Sequence, residues 1–379
     1  MSYLEYSAGF VPTGPRKLLY VNWALVLLLI AVSSTGLLML YSISGGNADL
    51  WSIPQGKRMV AGILGMLVMA LVPIAFWKNI SVVAYLVCLA LLVMAERAGE
   101  VRMGAQRWLD LGFVQIQPSE MAKIGLVMVL AAYYDWLPAK KVSHPVWVLV
   151  PVGLIVLPTL LVLAQPNLGT AMLIVIAGVA VMFLAGVHWL YFATVIGAGT
   201  AAVWAVLGSR GTAWQLLHDY QYRRIDTFLD PSNDPLGAGY NITQAKIALG
   251  SGGWTGRGFM QGTQSRLNFL PEKHTDFIFN TLAEEFGFLG TSVLLVLYGL
   301  ILAFCLFTAL TNRDRYAAIL TIGIGLSFFL LYALNMLMVM GLAPVVGVPL
   351  PLVSWGGSSM IVLLLGFGLV QSAHVHKVR

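Results

Sequence analysis

Long apolar segments separated by short polar ones run along almost the whole chain of 379 residues. A helix needs about 20 mostly apolar residues to cross the hydrocarbon core, because lipid offers the backbone no hydrogen-bond partners. The segments of this kind cover residues 23–42, 59–77, 79–95, 119–137, 145–164, 168–186, 188–208, 276–308, 315–341 and 355–373. The pattern predicts an all-α polytopic membrane protein with about ten transmembrane helices, forming one transmembrane domain over residues 1–379.

The composition agrees with a protein of the bilayer. Hydrophobic residues make up 59% of the sequence and charged residues 10%, with a mean hydropathy of +0.83. One aqueous core cannot bury so much apolar surface, which excludes an ordinary soluble protein. The N-terminus lacks the short apolar core and cleavage site of a signal peptide, so we expect the first span to remain. Cys88 and Cys305 fall inside predicted spans and the histidines show no ligand spacing, so neither a disulfide nor a histidine metal site is predicted.

Basic residues are distributed unequally between the two sets of connecting loops. Because loops rich in Lys and Arg tend to stay in the cytoplasm, the bias indicates that both termini are cytoplasmic. The inner loops and tails would hold Arg16, Lys17, Lys78, Lys140, Lys141, Arg313, Arg315, Lys377 and Arg379, and the short outer loops Lys57, Arg58, Arg97, Arg102 and Arg107. The net charge of +6 is then explained by topology and by contact with acidic membrane lipids, and it does not indicate nucleic acid.

A large extracytoplasmic loop is predicted between spans seven and eight, at residues 209–275. Its many aromatic residues argue against disorder, and loops of this length are usually functional otherwise. Within it, "YNITQAKIALG" predicts a short helix that ends at Gly250 in the left-handed capping position. The next stretch, "GSGGWTGRGFMQG", matches no nucleotide-binding pattern. Either it is a compact turn-rich loop or it lines a site for a phosphate or a sugar.

Charged residues crowd into the point where the outer loop enters span eight, in "FLPEKHTDFIFNTLAEEFG". Asp276 lies there at a predicted helix N-terminus, beside water. Thr275 or Asp276 could simply cap the helix, which is worth about 0.5–2 kcal/mol. Alternatively, the Asp276 carboxylate is a general base or a cation ligand at the membrane surface. Glu284 and Glu285 lie deeper, where an ionised side chain is costly, so we expect a polar interior partner for at least one of them.

Two further polar clusters have the same ambiguity. "RWLDLGFVQIQPSEMAKIG" places Glu120 and Lys123 three residues apart on one helical face, where they can pair or can line a cavity that receives an anionic substrate. "LPLVSWGGSSMIV" carries Ser354, Ser358 and Ser359 beside two glycines. Small residues there are more typical of close helix packing than of a nucleophile.

Five long motifs together resemble the SEDS family (shape, elongation, division and sporulation). They are the two acidic and basic strings quoted above, "YQYRRIDTFLDPSNDPLGAGYNITQAKIALGSGGWTGRG", "AQPNLGT" and "GLAPVVGVPLPLVSWGGSS". Their order and spacing hold from about residue 20 to residue 375. The string "GTQSRLNFLPEKHTDF" is more similar to the rod-shape branch of the family than to its division branch.

The resemblance implies a peptidoglycan glycosyltransferase that polymerises lipid II on the outer face of the bacterial cytoplasmic (inner) membrane. It assigns to Asp276 the role of general base, which takes the proton of the acceptor 4-hydroxyl. That oxygen attacks the anomeric carbon of the donor, undecaprenyl pyrophosphate leaves, and the new linkage is β-1,4. Cations should stabilise the leaving pyrophosphate, and Arg107, Lys123 and Arg224 are the candidates.

The other candidate substrate-binding residues come from the same motifs. They are Trp108, Gln117, Ser119, Glu120, Asn167, Glu272, His274, Ser358 and Ser359. The family usually has Asp where this sequence has Asn167, and an amide cannot carry the negative charge of a carboxylate. No metal ligand set is readable, and a divalent cation such as Mg²⁺ at the leaving group is left open.

Two other classes of protein are compatible with the pattern. A flippase or other transporter of the lipid-linked precursor would explain Glu120, Lys123 and Glu284 as parts of a translocation path. A scaffold that positions another enzyme is the second alternative. The resemblance also implies a partner, a single-span class B penicillin-binding protein that supplies transpeptidase activity, besides lipid II, the growing glycan strand and membrane lipids.

Overall fold

The computed structural model describes residues 14–102, 105–110, 112, 115–165, 167–212, 214–215, 222, 226, 230, 238–267, 272–345 and 347–377. Long helices dominate it. Those of 17 residues or more in the described part are α1 Trp23–Ile43, α2 Ser52–Leu71, α3 Ile74–Ala98, α4 Pro118–Trp136, α5 Pro145–Ala164, α6 Leu168–Leu184, α7 Trp189–Gly208, α10 Ile278–Leu310, α11 Arg315–Val339 and α12 Ser359–Val375. Two shorter helices, α8 Ala238–Ser251 and α9 Thr263–Arg266, precede α10.

Six helices in the described residues are long and apolar enough to cross a membrane, namely α1, α3, α5, α7, α10 and α11. The shorter helices α6 and α12 are also apolar. Many large apolar side chains along these helices face outward, including Trp204 at 75% and Leu310 at 75% exposure. Apolar surface of this kind is what a lipid environment covers, so the chain is a multi-pass membrane protein.

Most helix bounds agree with the sequence prediction to within four residues, but both bounds of α2 and the start of α3 do not. We expected a span over 59–77, whereas α2 covers Ser52–Leu71. Val72 and Pro73 adopt extended backbone angles. Proline has no N–H group to donate and disfavours a helical residue before it, so it ends α2 there even though the sequence stays apolar.

A small sheet corrects the expectation of a wholly helical chain. Between α3 and α4 lie β1 Glu100–Arg102, β2 Ala105–Asp110 and β3 Gln115–Ile116, which form an antiparallel sheet in that order. The Asp110 carboxylate accepts the N–H of Gly112 at 2.7 Å in the connection between β2 and β3. Gly112 has φ +84°, a conformation that glycine adopts without steric cost.

Contacts between distant segments define two ends of the helix bundle. At one end, the Ser372 hydroxyl donates to Val72 O and a guanidinium N–H of Arg315 donates to Leu137 O. The opposite end holds the β-sheet, the segments around α8 and α9, the start of α10 and the loop between α11 and α12. The predicted site residues that the structure describes all lie near this second end, which we call the site end.

The helix predicted at 240–250 is present as α8, but its end differs. Gly250 was expected at the left-handed cap, whereas α8 continues to Ser251 and the left-handed backbone is found at Gly253, with φ +55°. Glycine allows that conformation at either position, and the packing that follows α8 decides where the helix stops.

The glycine-rich segment 252–258 pairs with a break in α10. Gly287 interrupts the helix with φ +64° and ψ −160°, which frees backbone groups on both sides of it. The N–H groups of Arg257 and Gly258 donate to Glu284 O and Glu285 O at 2.9 and 3.0 Å. In return, Phe288 N–H and Leu289 N–H donate to carbonyls of the glycine-rich segment at 2.9 and 3.1 Å.

Only glycine permits this approach of two backbones. A Cβ at Gly252 would lie 1.9 Å from Ala283 O, one at Gly256 would lie 2.1 Å from Glu285 O, and one at Gly287 would lie 2.3 Å from Gly256 N. The glycines therefore serve close packing of the chain against itself, which favours the compact-loop interpretation over a lining for a ligand.

Candidate active site

Asp276 lies in the turn that leads into α10. The turn starts at Glu272, which has φ +51°, and its carbonyl accepts the N–H groups of Thr275 and Asp276, each at 3.1 Å. The N-cap residue of α10 is Phe277, which makes no side-chain cap hydrogen bond. Neither Thr275 nor Asp276 therefore occupies the capping position that the sequence allowed for them.

Three consecutive carbonyl groups of this turn are held by donors from elsewhere in the fold. His274 O accepts the Trp355 N–H at 2.9 Å. Thr275 O accepts the Ser354 hydroxyl, and Asp276 O accepts Nδ2 of Asn335 at 2.9 Å. With each carbonyl bound, the backbone that carries the Asp276 carboxylate is fixed in place, as an effective catalytic group requires.

Ser354 connects the turn to two other elements. Its hydroxyl oxygen also accepts the Leu350 N–H at 2.8 Å, and its carbonyl accepts Nε2 of the fully buried Gln55 at 3.1 Å. The side chain is 4% exposed. Ser354 is therefore a structural connector between α2, the loop before α12 and the Asp276 turn.

His274 packs flat against an aromatic ring beside the turn. Its imidazole stacks on Trp51 with ring centroids 4.9 Å apart and planes 5° from parallel, and Nε2 lies 3.9 Å from Oε2 of Glu272. Burial lowers the pKa of His274 below its ordinary value, an effect that Glu272 opposes and Lys273 reinforces. The ring is therefore neutral at neutral pH.

A cation lies on the next aromatic ring. The Arg58 guanidinium carbon is 4.3 Å from the centroid of the Trp355 ring, and Arg58 also donates to Gln55 at 3.3 Å. A guanidinium that stacks on an aromatic face keeps its in-plane N–H groups available for an anion. Arg58 thus supplies positive charge next to the loop that holds the Asp276 turn.

The predicted pair at the start of α4 is formed. Nζ of Lys123 lies 2.9 Å from Oε1 of Glu120, and both side chains are buried. Glu120 also lines a small cleft together with Ser354 and Ser359. The second and third polar clusters of the sequence therefore meet at one cleft, and Glu120 also offsets the positive charge of the buried Lys123.

Ser358 and Trp108 join the same clusters on the side of the β-sheet. The Ser358 hydroxyl oxygen accepts the Gln117 N–H at 3.0 Å. The Trp108 ring lies beside Gly357, where an added Cβ would be 3.5 Å from it. Ser119, at the first turn of α4, is fully buried.

Other predicted residues are placed apart from these contacts or are not described. Asn167 accepts the Thr170 N–H at 3.3 Å and caps α6. Arg224 and the side chain of Arg107 lie outside the described residues. Among the side chains that the structure does describe, His, Cys, Asp and Glu form no group of three or more that could hold a metal ion.

The expectation of a polar interior partner for at least one of the two deeper glutamates is confirmed, and both have such a partner. Glu284 accepts the N–H and the hydroxyl of Thr263 at 2.7 and 2.9 Å, and the N–H of Gln264 at 3.1 Å. Glu285 accepts the hydroxyl of Ser42 from α1. The Glu284 carboxylate holds the segment around α9 to the broken start of α10, and the Glu285 carboxylate holds α10 to α1.

Sequence reasoning missed several residues around Asp276. Asn335 interrupts an otherwise apolar span, which is a recognisable signal because buried polar groups in a membrane are costly and usually paired. Gln55, Arg58 and Trp51 gave no comparable signal, since the predicted start of span two lay beyond them at residue 59. Trp355 was part of a quoted motif but had no assigned role.

Residues 18–379 match the family model for FtsW, RodA and SpoVE, which is described as "Cell cycle protein". The chain belongs to the SEDS family. This assignment confirms the resemblance drawn from the five motifs, which are spread across the matched range.

Individual SEDS proteins are similar over nearly the full chain. Peptidoglycan glycosyltransferase MrdB of Escherichia coli (strain K12) is 42% identical over 361 residues, which cover 94% of both proteins. A solved chain from the work "Structural coordination of polymerization and crosslinking by a peptidoglycan synthase complex" matches with a TM-score of 0.79 and 29% identity, over 93% of this chain and 97% of that one. Rod shape determining protein RodA of Thermus thermophilus matches with a TM-score of 0.70 and 27% identity, over 95% and 98%.

Proposed function

We propose that this chain is a peptidoglycan glycosyltransferase of the rod-shape type that polymerises lipid II during cell elongation. Membership of the SEDS family and 42% identity to a peptidoglycan glycosyltransferase support this. The observation that carries the proposal is the Asp276 turn, in which three donors from two other elements hold consecutive carbonyls of the backbone that bears one carboxylate.

The chemistry needs one base and one stabilised leaving group. The Asp276 carboxylate takes the proton from the 4-hydroxyl of the acceptor sugar as that oxygen attacks the anomeric carbon of the donor. The bond from this carbon to the pyrophosphate oxygen breaks, and undecaprenyl pyrophosphate leaves with the electron pair. A single displacement inverts the α-linked donor to a β-1,4 linkage. General-base catalysis of this kind contributes about 10²- to 10⁴-fold in rate.

Positive charge at the site end would bind the pyrophosphate. Arg107, Lys123 and Arg224 are the proposed cations. Nζ of Lys123 lies 2.9 Å from the Glu120 carboxylate. A phosphate that binds Lys123 must therefore share this ammonium group with Glu120 or displace Glu120 from it. The polar groups of Trp108, Gln117, Ser119, Glu272, His274, Ser358 and Ser359 are proposed to contact the sugars, and Asn167 a more distant part of the lipid-linked substrate. A divalent cation such as Mg²⁺ at the pyrophosphate is compatible with this scheme.

The proposed topology places the site end outside the cell. Ten spans, with both termini cytoplasmic and residues 209–275 as the extracytoplasmic loop, form one domain in the inner membrane. The donor and acceptor reach Asp276 from the outer leaflet. Because this chain is proposed to supply only glycan polymerisation, a class B penicillin-binding protein is the proposed partner for cross-linking.

Incubation of the purified chain with lipid II in detergent tests the proposal against a transporter. A polymerase makes glycan strands without a sealed membrane, and Asp276→Ala abolishes the product. A flippase makes no glycan under these conditions and needs both membrane faces. Absence of product from the wild-type chain, both alone and with its class B partner, would reject the proposal.

A further inference from the structure

Asn335 is a buried polar residue in the apolar helix α11. It is 0% exposed, and its Nδ2 donates to Asp276 O at 2.9 Å and to Val348 O at 2.7 Å. One amide group therefore uses both of its N–H bonds on backbone carbonyls of two other segments. These segments are the turn before α10 and the loop before α12.

The position of this amide gives it control over the Asp276 turn. The Trp355 N–H and the Ser354 hydroxyl hold the two preceding carbonyls, but both come from the same loop. Asn335 comes from a helix, and it binds that loop as well as the turn. Its loss would leave the carbonyl of Asp276 itself without this donor and would loosen the loop at Val348 at the same time.

We propose that Asn335 is a positioning residue for the Asp276 carboxylate, which it aims at the acceptor hydroxyl by clamping Asp276 O and Val348 O together. This inference rests on the proposed function of Asp276 as the general base. Asn335 is fully buried and touches neither sugar in this scheme. It acts through the backbone of Asp276, whose displacement by about 1 Å is enough to cost on the order of 10²-fold in rate.

The test compares Asn335→Leu, which removes both donors at similar size, with Asn335→Ser, whose single short hydroxyl cannot bind both carbonyls. The kcat and KM of lipid II polymerisation are measured for each variant. Thermal unfolding in detergent gives the folded fraction of each preparation, and kcat is expressed per folded molecule. We expect kcat to fall by about 10- to 100-fold with KM changed less than about two-fold, since substrate contacts remain. The solvent deuterium isotope effect on kcat should rise, because proton transfer to a misplaced base becomes slower.

Gln371→Leu is the matched control. Gln371 is also 0% exposed, and its amide bridges the backbone N–H and carbonyl of Asn22 at 2.9 and 3.0 Å, at the end of the bundle away from Asp276. Its loss should lower the thermal midpoint without changing the isotope effect or the kcat of the folded fraction. If Asn335 has only a structural role, its variants will also show a lower thermal midpoint with an unchanged isotope effect and an unchanged kcat of the folded fraction. That outcome would overturn the proposal.

Failure of this inference is distinguishable from failure of the proposed function. If Asp276→Asn is inactive while folded Asn335→Leu or Asn335→Ser keeps the wild-type kcat and isotope effect, the positioning role is wrong and the base remains. If Asp276→Asn keeps full activity, Asp276 is not the general base, and the positioning role of Asn335 is then wrong as well. Should Asn335→Leu fail to fold, Asn335→Ser decides the question alone.

Discussion

The carboxylate of Glu284 anchors the start of α9 to α10, and its removal should release the segment around α9. The side chain is 0% exposed, and it accepts the backbone N–H groups of Thr263 and Gln264. Glu284→Leu would leave both partly buried N–H groups without this acceptor, at a cost of about 1–3 kcal/mol each. The sum of about 2–6 kcal/mol is relieved if the segment undocks and the N–H groups reach water.

Limited trypsin cleavage after Arg266, the last residue of α9, measures the undocked fraction. A cost of about 2 kcal/mol raises that fraction by about 30-fold, so we expect cleavage of Glu284→Leu to accelerate at least that much. Glu284→Gln is the matched control, because it keeps the shape and one acceptor oxygen and should show a smaller increase. Cleavage of the Leu variant at the wild-type rate, with an unchanged thermal midpoint, would refute the anchoring role.

Gly256→Ala should lower the thermal midpoint clearly more than Gly253→Ala. Both positions have a positive φ, which costs about 1–2 kcal/mol for Ala. Only the Cβ at position 256 would also meet a carbonyl oxygen of α10, at 2.1 Å. Equal midpoints would contradict the close approach. Glu120→Gln and Lys123→Met should each destabilise the protein by about 3–5 kcal/mol, because each leaves one charge of the buried pair without its partner. The stability of the double variant should lie nearer to that of the wild type. Additive losses of stability on thermal unfolding would argue against the buried pair. Because burial lowers the pKa of His274 below 6.5, the stability that its neutral ring contributes is complete above that pH and is lost as the pH falls below it. His274→Gln should therefore lose less stability between about pH 7 and pH 5, and an identical pH dependence would show that this group is not responsible.

The helices could be predicted because their cause is local. About 20 apolar residues in a row are sufficient for a spanning helix, and most bounds agree to within four residues. The error at α2 arose where an apolar run continues through Val72 and Pro73, so that hydropathy gave no boundary and proline chemistry did. The sheet over 100–116 was missed because its strands are only two to six residues long.

The polar clusters of the candidate site could be predicted from the sequence, but their assembly and several of the residues around Asp276 could not. Clusters around Glu120, Asp276 and Ser358 stood out as polar islands in an apolar chain, and their contacts follow from long-range packing that no local pattern encodes. Gln55 shows this most clearly. It bonds to Ser354 O from 299 positions away, and nothing in its own neighbourhood marks it.

The role of Asp276 as general base is tested most directly by the rate of lipid II polymerisation by Asp276→Asn, which keeps the shape and removes the base. The control is Asp314→Asn, at a carboxylate that caps α11 away from the site end and accepts the Ala317 N–H at 3.0 Å. With both variants folded, we predict a fall of at least about 10²-fold for Asp276→Asn and a near-wild-type rate for Asp314→Asn. Wild-type polymerisation by folded Asp276→Asn would contradict the account.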